Sequence, residues 1–323
     1  MSLLEDRYRL AIRVLLPRSY RAGREEEMVD AFMEGAGEAA DEPDARPRWP
    51  EIASLAGLGL RVRMGGAGAS PRYVALGEAV RQVAVLGLFF HATIGVAVAV
   101  GFLWTTPSPY TVQGLARGLD SLLWAAAFLA LTRGSTRAAR GLAVAAAVLA
   151  TAVTLPVDPL GAVLNVPLAA VPVLALWAGF HRAAPRPDLP GWLAALPVGA
   201  GLALGALLLV AGAASLAPKI DLRVWSFVWP WLAPSGLACL GLLAASAVHL
   251  AARRSPFRPW ALAILAVPVL VARLHPLLFQ GVDPITRTMA VVQIGQFAAL
   301  AVCAALFTVL ALRAVPREAP LVR

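Results

Sequence analysis

Charge is what this chain of 323 residues has least of. Asp, Glu, Lys and Arg make up 15% of it and hydrophobic residues 59%, where soluble domains carry about 25% and about 45–50%. An ordinary soluble domain is excluded. Lysine is nearly missing, with Lys219 alone among 28 basic residues, a bias we read as a GC-rich coding habit. Cysteine is scarce too. Cys239 and Cys303 lie in apolar runs, where a thiol acts as a small hydrophobe. With no CxxC pair, neither a disulfide framework nor a metal cluster is expected. The four histidines, His91, His181, His249 and His275, lack HExxH spacing. There is no phosphate-binding GxxxxGK[ST] and no Gly-x-Ser-x-Gly elbow. Gly65-Gly66-Ala67-Gly68 follows a helical pattern rather than a strand, so it is not a dinucleotide loop. No cofactor, metal ligand or catalytic residue is assigned. An intramembrane enzyme built from His91, His275 and Asp120 is the remaining enzymatic reading, and a non-enzymatic one is favoured over it. A cleavable signal peptide is not expected either: Glu5, Asp6, Arg7, Arg9, Arg13 and Arg18 interrupt the first twenty residues.

What charge there is divides unevenly. Residues 1–81 hold 12 arginines and 13 acids, leaving 16 basic residues and 6 acids for the rest. A neutral head before a basic, apolar body argues against nucleic-acid binding, which needs clustered positive charge on a solvated face. Within the head, Leu4, Tyr8, Ile12 and Leu15 share one helical face and Pro17 should stop that helix. A second helix from about Tyr20 carries Met28, Val29, Phe32, Met33 and Ala36 opposite Glu25, Glu26, Glu27, Asp30 and Glu34. Asp41–Pro50, with three prolines and three acids, reads as a loop. A third helix starts at Pro50, with Glu51 in its first turn and Arg61 and Arg63 in its last. Each helix has one apolar stripe that it cannot bury alone, so residues 1–64 are expected to form a three-helix bundle. Residues 65–82 are then a linker and lead-in helix, and 83–323 a transmembrane domain.

The run Leu15-Leu16-Pro17-Arg18-Ser19-Tyr20-Arg21, followed by Glu25-Glu26-Glu27-Met28, resembles the N-terminal prefix of bacterial, notably actinobacterial, multi-pass membrane proteins. These are the permease-prefix and HAAS-type domains. The ending Gly57-Leu58-Gly59-Leu60-Arg61-Val62-Arg63 is similar to theirs. The resemblance covers residues 3–65 and implies a cytoplasmic accessory or regulatory module, associated with PadR-type repressors or ABC permeases. It implies no catalytic residue. Pro17, Tyr20, Arg21, Glu26 and Met28 are the candidate partner-binding positions, with a plain helical hairpin as the competing account of them.

A spanning helix needs about 20 apolar residues. Eight such segments are expected, near 83–104, 114–132, 141–157, 160–180, 191–214, 230–252, 259–280 and 290–312. The fold class is therefore all-α, a polytopic helical membrane protein behind a small helical bundle. Eleven arginines fall on one set of alternate ends (Arg133, Arg137, Arg140, Arg182, Arg186, Arg253, Arg254, Arg258, Arg313, Arg317 and Arg323). Lys219, Arg223 and Arg287 mark the other. By the positive-inside rule the chain sits in the cell membrane with both termini cytoplasmic. Trp104, Trp225, Trp229 and Trp231 suit the outer interface, and Trp177, Trp192 and Trp260 the inner. Gly201-xxx-Gly205 invites close helix approach, either within one bundle or in a homo-oligomer.

Polar groups inside the bilayer are costly, about 2.5–3.5 kcal/mol for an ion on insertion scales, and are the default functional candidates. These are Arg117 and Asp120, Asn165, Arg273 and His275 with Gln280, and Gln293 and Gln296. Asp158 and Asp283 stand nearby in two Val-Asp-Pro turns. Two accounts fit them: an outward-facing polar pocket for an anionic or polar ligand, or an internal Arg273–Asp120 ion pair with helix-locking hydrogen bonds. Pro167, Pro172, Pro197, Pro230, Pro234, Pro268 and Pro276 each free a carbonyl that must find another partner. A regulatory or sensory protein is expected, its bundle engaging a cytoplasmic regulator. The alternative is a transport component, a secondary carrier or an ABC permease working with a separate ATPase.

Overall fold

The computed structural model describes residues 3–37, 45–105, 112–181, 191–215, 222–252, 257–278 and 284–314. Gln280 and Asp283, Lys219, and Arg182, Arg186, Arg253, Arg254, Arg317 and Arg323 lie outside them, as do the side chains of Trp104, Arg223 and Pro276. Among the described residues there is no strand. They form two compact units, one of residues 3–37, 45–80 and 178–181 and one of the remainder.

In the first unit, α1 (Leu3–Leu15), a single turn α2 (Arg18–Arg21), α3 (Glu25–Ala36) and α4 (Trp49–Arg63) build the expected bundle. Ile12, Leu16, Val29 and Leu55 form its centre. A second cluster of Leu4, Tyr8 and Ala36 extends it, with the Tyr8 and Phe32 rings stacked at 5.0 Å. Pro17 ends α1 as expected, and the Leu15 carbonyl accepts from Arg63 (2.6 Å). Gly59 permits this approach, since a Cβ there would lie 2.3 Å from the Leu15 oxygen. Glu51, in the first turn of α4, accepts from the Arg48 N–H (3.0 Å) and from the Tyr8 hydroxyl, tying α4 to α1. Arg9 bridges Glu5 (3.0 Å) and Glu26 (2.6 Å), joining α1 to α3.

The second unit contains most of eight helices long and apolar enough to cross a membrane. These are α5 (Pro71–Thr105), α6 (Val112–Thr132), α7 (Thr136–Thr154), α8 (Pro159–Gly179), α9 (Leu196–Ser215, behind a 3₁₀ turn at Gly191–Ala194), α11 (Pro234–Ala252), α12 (Arg258–Leu278) and α13 (Pro284–Ala314). Proline opens α5, α8, α11 and α13, where its missing N–H is no loss and its φ is already helical. Asp158 caps α8, its Oδ1 accepting from the Gly161 N–H (2.9 Å), so Val157-Asp158-Pro159 is a helix start. At the α6–α7 turn Ser135 N–H bonds the Ala130 carbonyl (2.8 Å) and Gly134 N–H the Leu131 carbonyl (2.9 Å), with Gly134 at φ 77°. That is a Schellman closure. Arg140, near the start of α7, lies over the Trp177 ring near the end of α8 (5.0 Å). His275, near the end of α12, reaches Asp158 at the start of α8 (3.1 Å). Both contacts join ends that alternating crossings place together.

Two expectations are refined. The expected sixth segment from 230 is two elements: α11 starts only at Pro234, and a separate helix α10 (Leu222–Leu232) precedes it, carrying the tryptophans expected at the outer interface, Trp225, Trp229 and Trp231. Gly201 and Gly205 pack α9 against α5, since a Cβ at either would fall within 2.9 Å of Val96 or Val100. That pair acts inside one bundle.

Two predictions follow from these contacts. Gly134→Ala should cost about 1–2 kcal/mol, because the site is open and only its left-handed backbone resists a side chain. Gly141→Ala, also in open space but helical, should be neutral or stabilising by up to about 1 kcal/mol; thermal unfolding in detergent reads both. The second concerns pH, measured by helical circular dichroism on a fragment of residues 1–64. Burial and the bond to Glu51 push the Tyr8 hydroxyl up to about 12 from 10.0. The stability it adds is complete below pH 10, declines above it, and is gone once pH passes about 12. Hydrogen bonds from Arg9 hold the Glu26 carboxyl below its usual value, so its contribution is present above the ordinary carboxylate range and lost as pH falls through the lowered one. Tyr8→Phe should remove the alkaline decline and leave the acid one.

Candidate functional site

A helix carbonyl at position i normally accepts from the N–H at i+4. Where i+4 is proline that donor is missing, and in an apolar surrounding the orphan is costly. Pro234 orphans Pro230 in this way. The Pro230 carbonyl, near the end of α10, accepts from Arg273 Nη2 of α12 (2.8 Å) and Gln296 Nε2 of α13 (3.4 Å). Arg273 is 1% exposed. Gly236, in the first turn of α11, lets the groups meet: a Cβ there would stand 2.0 Å from the Pro230 oxygen and 2.5 Å from Arg273 Nη2. Cys239 adds a weak bond from Sγ to the Gln296 carbonyl (3.7 Å), and Ser226 is buried on the same helix as Pro230. Arg273 Nε and Gln296 Oε1 have no partner among the described residues.

The same arrangement recurs in α8. Pro172 orphans the carbonyl of Leu168 inside α8, and His91 Nε2 of α5 donates to it (3.0 Å). Gly87, one turn before His91, makes room for the proline ring, whose Cγ would lie 2.3 Å from a Cβ. The imidazole stacks on Trp124 of α6 at 4.2 Å and 14°. Trp124 is in turn the hydrogen-bond partner of Asp120, one turn earlier.

The seven intramembrane candidates among the described residues therefore do not converge. Arg273 and Gln296 meet at Pro230. The expected Arg273–Asp120 ion pair is not formed, because Arg273 is turned to a backbone oxygen and Asp120 to Trp124 on its own helix. His275 joins Asp158, away from both. Asn165 Nδ2 donates to the Gly161 carbonyl of its own helix (2.7 Å). Arg117 is exposed, its carbonyl accepting from Ser121 (3.0 Å). Gln293 is half-buried one turn before Gln296. Nor does the structure gather His91, His275 and Asp120: Trp124 links the first and last, and His275 is elsewhere.

Two concave sites were missed. Between α5, α8, α11 and α12 lies a cavity of about 220 Å³, lined by apolar residues and by His91. In the bundle, a groove of about 670 Å³ runs between α1 and the start of α4, lined by Leu10, Val14 and Trp49 among others and by Arg7 and Arg46. Those three apolar side chains are 64%, 67% and 84% exposed. The signal was available. Leu3, Leu10 and Val14, at i, i+7 and i+11, are a second stripe on α1 beside the one that was read. Of the five motif positions, Pro17 is buried, Tyr20 and Met28 pack on the core, Arg21 is half-buried, and Glu26 holds Arg9. They build the bundle, and its open apolar face is elsewhere.

Arg273 should be coupled to Pro234. Pro234→Ala returns an N–H to the Pro230 carbonyl, so Arg273→Met should cost about 1 kcal/mol less in that background than in the unaltered chain. Thermal unfolding of the four proteins in detergent measures the difference. Equal costs in both backgrounds would mean that the orphaned carbonyl is not what Arg273 serves.

The chain matches no family model, no curated protein and no solved structure.

Proposed function

We propose that the chain is a multi-pass cell-membrane protein with a regulatory or sensory role, both termini cytoplasmic, whose N-terminal bundle docks a cytoplasmic partner. The observation that carries this reading is the groove between α1 and α4. Leu10, Val14 and Trp49 stand in the open together, an apolar surface that the small bundle leaves unburied. Grooves of this kind receive the apolar face of an amphipathic helix. Arg46, exposed in the lining of the groove, favours a partner with acidic flanks. The resemblance of residues 3–65 to permease-prefix domains supports the same role.

A transport component is the second reading, favoured by the cavity among proline-interrupted helices. Carriers bind substrate near the bilayer midplane beside broken helices. Photo-crosslinking residues at Trp49 and Val14, with exposed Arg18 on another face as control, separate the two in the native host. One discrete adduct with a soluble non-ATPase protein, formed from Trp49 and Val14 but not Arg18, and lost in Leu10→Asp, is the expected result. An adduct with an ATPase subunit would favour transport. Labelling equal at all three positions would overturn the docking groove.

A further inference from the structure

The 220 Å³ cavity is not the polar pocket that the sequence pointed to, and its chemistry is different. Among its described lining residues His91 is the one with a polar side chain, and that group is engaged by the Leu168 carbonyl and the Trp124 ring. The rest of the wall is aliphatic, aromatic, proline or glycine. Such a space offers water none of the two to four partners it needs. It is also larger than the engineered apolar cavity of about 150 Å³ that takes up benzene.

Its depth and its mouth say what could enter. Gly241 and Ala245 are the eighth and twelfth of nineteen residues in α11. Leu265 and Val269 are the eighth and twelfth of twenty-one in α12, and Leu168 and Pro172 the tenth and fourteenth of twenty-one in α8. At 1.5 Å per residue all six lie within about 5 Å of the middle of their helices. The cavity is thus at mid-span, far from either helix end. It is not sealed: Leu86 is 44% exposed, and Gly241 and Ala245 are exposed too. An opening on the flank of spanning helices at that depth faces hydrocarbon.

We propose that this cavity binds a single acyl chain of a membrane lipid, entering sideways from the bilayer. The site needs no counter-charge because the headgroup stays at the interface. Pro172 and Gly87 shape one wall, where the proline ring fills the space a side chain on Gly87 would take. Pro268 on α12 stands in another. This inference is independent of what the N-terminal bundle docks.

The test uses the full chain in phosphatidylcholine nanodiscs. One lipid carries a diazirine at mid-chain, a second carries it on the headgroup, and a free fatty acid carries it at mid-chain. Labelled residues are mapped by mass spectrometry against Val148 and Val210, which are exposed on the outer faces of α7 and α9. Mid-chain lipid should label Leu86, Phe90 and Leu265 well above Val148 and Val210, and the headgroup probe should not. Ala245→Phe should lower cavity labelling about tenfold, the loss expected when two buried methylenes are displaced, with outer labelling unchanged. Gly241→Leu gives the same readout should Ala245→Phe fail to fold. Even labelling along all exposed faces, cavity labelling by the headgroup probe, labelling by the fatty acid alone, or insensitivity to both filling variants would each overturn the proposal.

Discussion

The constraint behind most of the second unit is that no backbone carbonyl surrounded by hydrocarbon can be left without a donor. Proline creates the problem by removing the N–H that the carbonyl four residues earlier would have used. At Pro234 and Pro172 the answer is a side chain from another helix, Arg273 with Gln296 in one case and His91 in the other. Each answer joins elements distant in sequence. Arg273 and Gln296 bind the elbow between α10 and α11 to α12 and α13, and His91 binds α8 to α5. Asn165 and Ser246 are satisfied within their own helices, by the Gly161 carbonyl and the Leu242 carbonyl (2.6 Å).

The eight spans were legible because length and apolarity are properties of a segment by itself. The starts of four of them, α5, α8, α11 and α13, were legible in retrospect from proline at the first position. The polar contacts were not, and the reason is physical. Reading Arg273 from sequence, one looks for a carboxylate and finds Asp120. The actual acceptor is a backbone carbonyl, a group every residue has, so composition cannot single it out. The proline spacing narrows the choice. Counting back four from Pro172 and Pro234 names Leu168 and Pro230, while the other prolines name further carbonyls by the same rule. It takes the structure to show that these two are served by a side chain from another helix. Helix α10 was hidden for a similar reason: Pro230 looked like the start of a span, whereas it lies near the end of a shorter helix that Pro234 terminates.

In the bundle the motif has a structural use, the helical-hairpin account of it. Pro17, Tyr20 and Met28 stand together in sequence because they turn the chain and close the core. A recurrent pattern of that kind marks a fold before it marks a contact. What marks the open face is an apolar stripe with nothing opposite. Leu3, Leu10 and Val14 are one residue out of phase with Leu4 and separated by arginines, so a search for a single amphipathic face passes over them. Two apolar faces on a thirteen-residue helix are more than one small bundle buries. The surplus is the reason to expect a partner.

The cavity and the carbonyl locks have a common origin. A proline ring inside a spanning helix blocks the regular meshing of side-chain ridges with the grooves of its neighbour, and the kink it causes tilts the two halves apart. Pro172 and Pro268 stand at mid-span on two walls of the same space. Gly87 relieves the clash at Pro172 but leaves no side chain to fill what lies beside it. Ala238 and Val269 line the cavity and also belong to the cluster around Cys239, which touches Gln296. The polar lock and the apolar space are therefore built into the same stretch of α11 and α12. An arrangement that held the helices together by packing alone would have no such void. Here hydrogen bonds to orphaned carbonyls hold the helices at positions where packing is incomplete, and the incomplete packing is what leaves room for a chain from the bilayer.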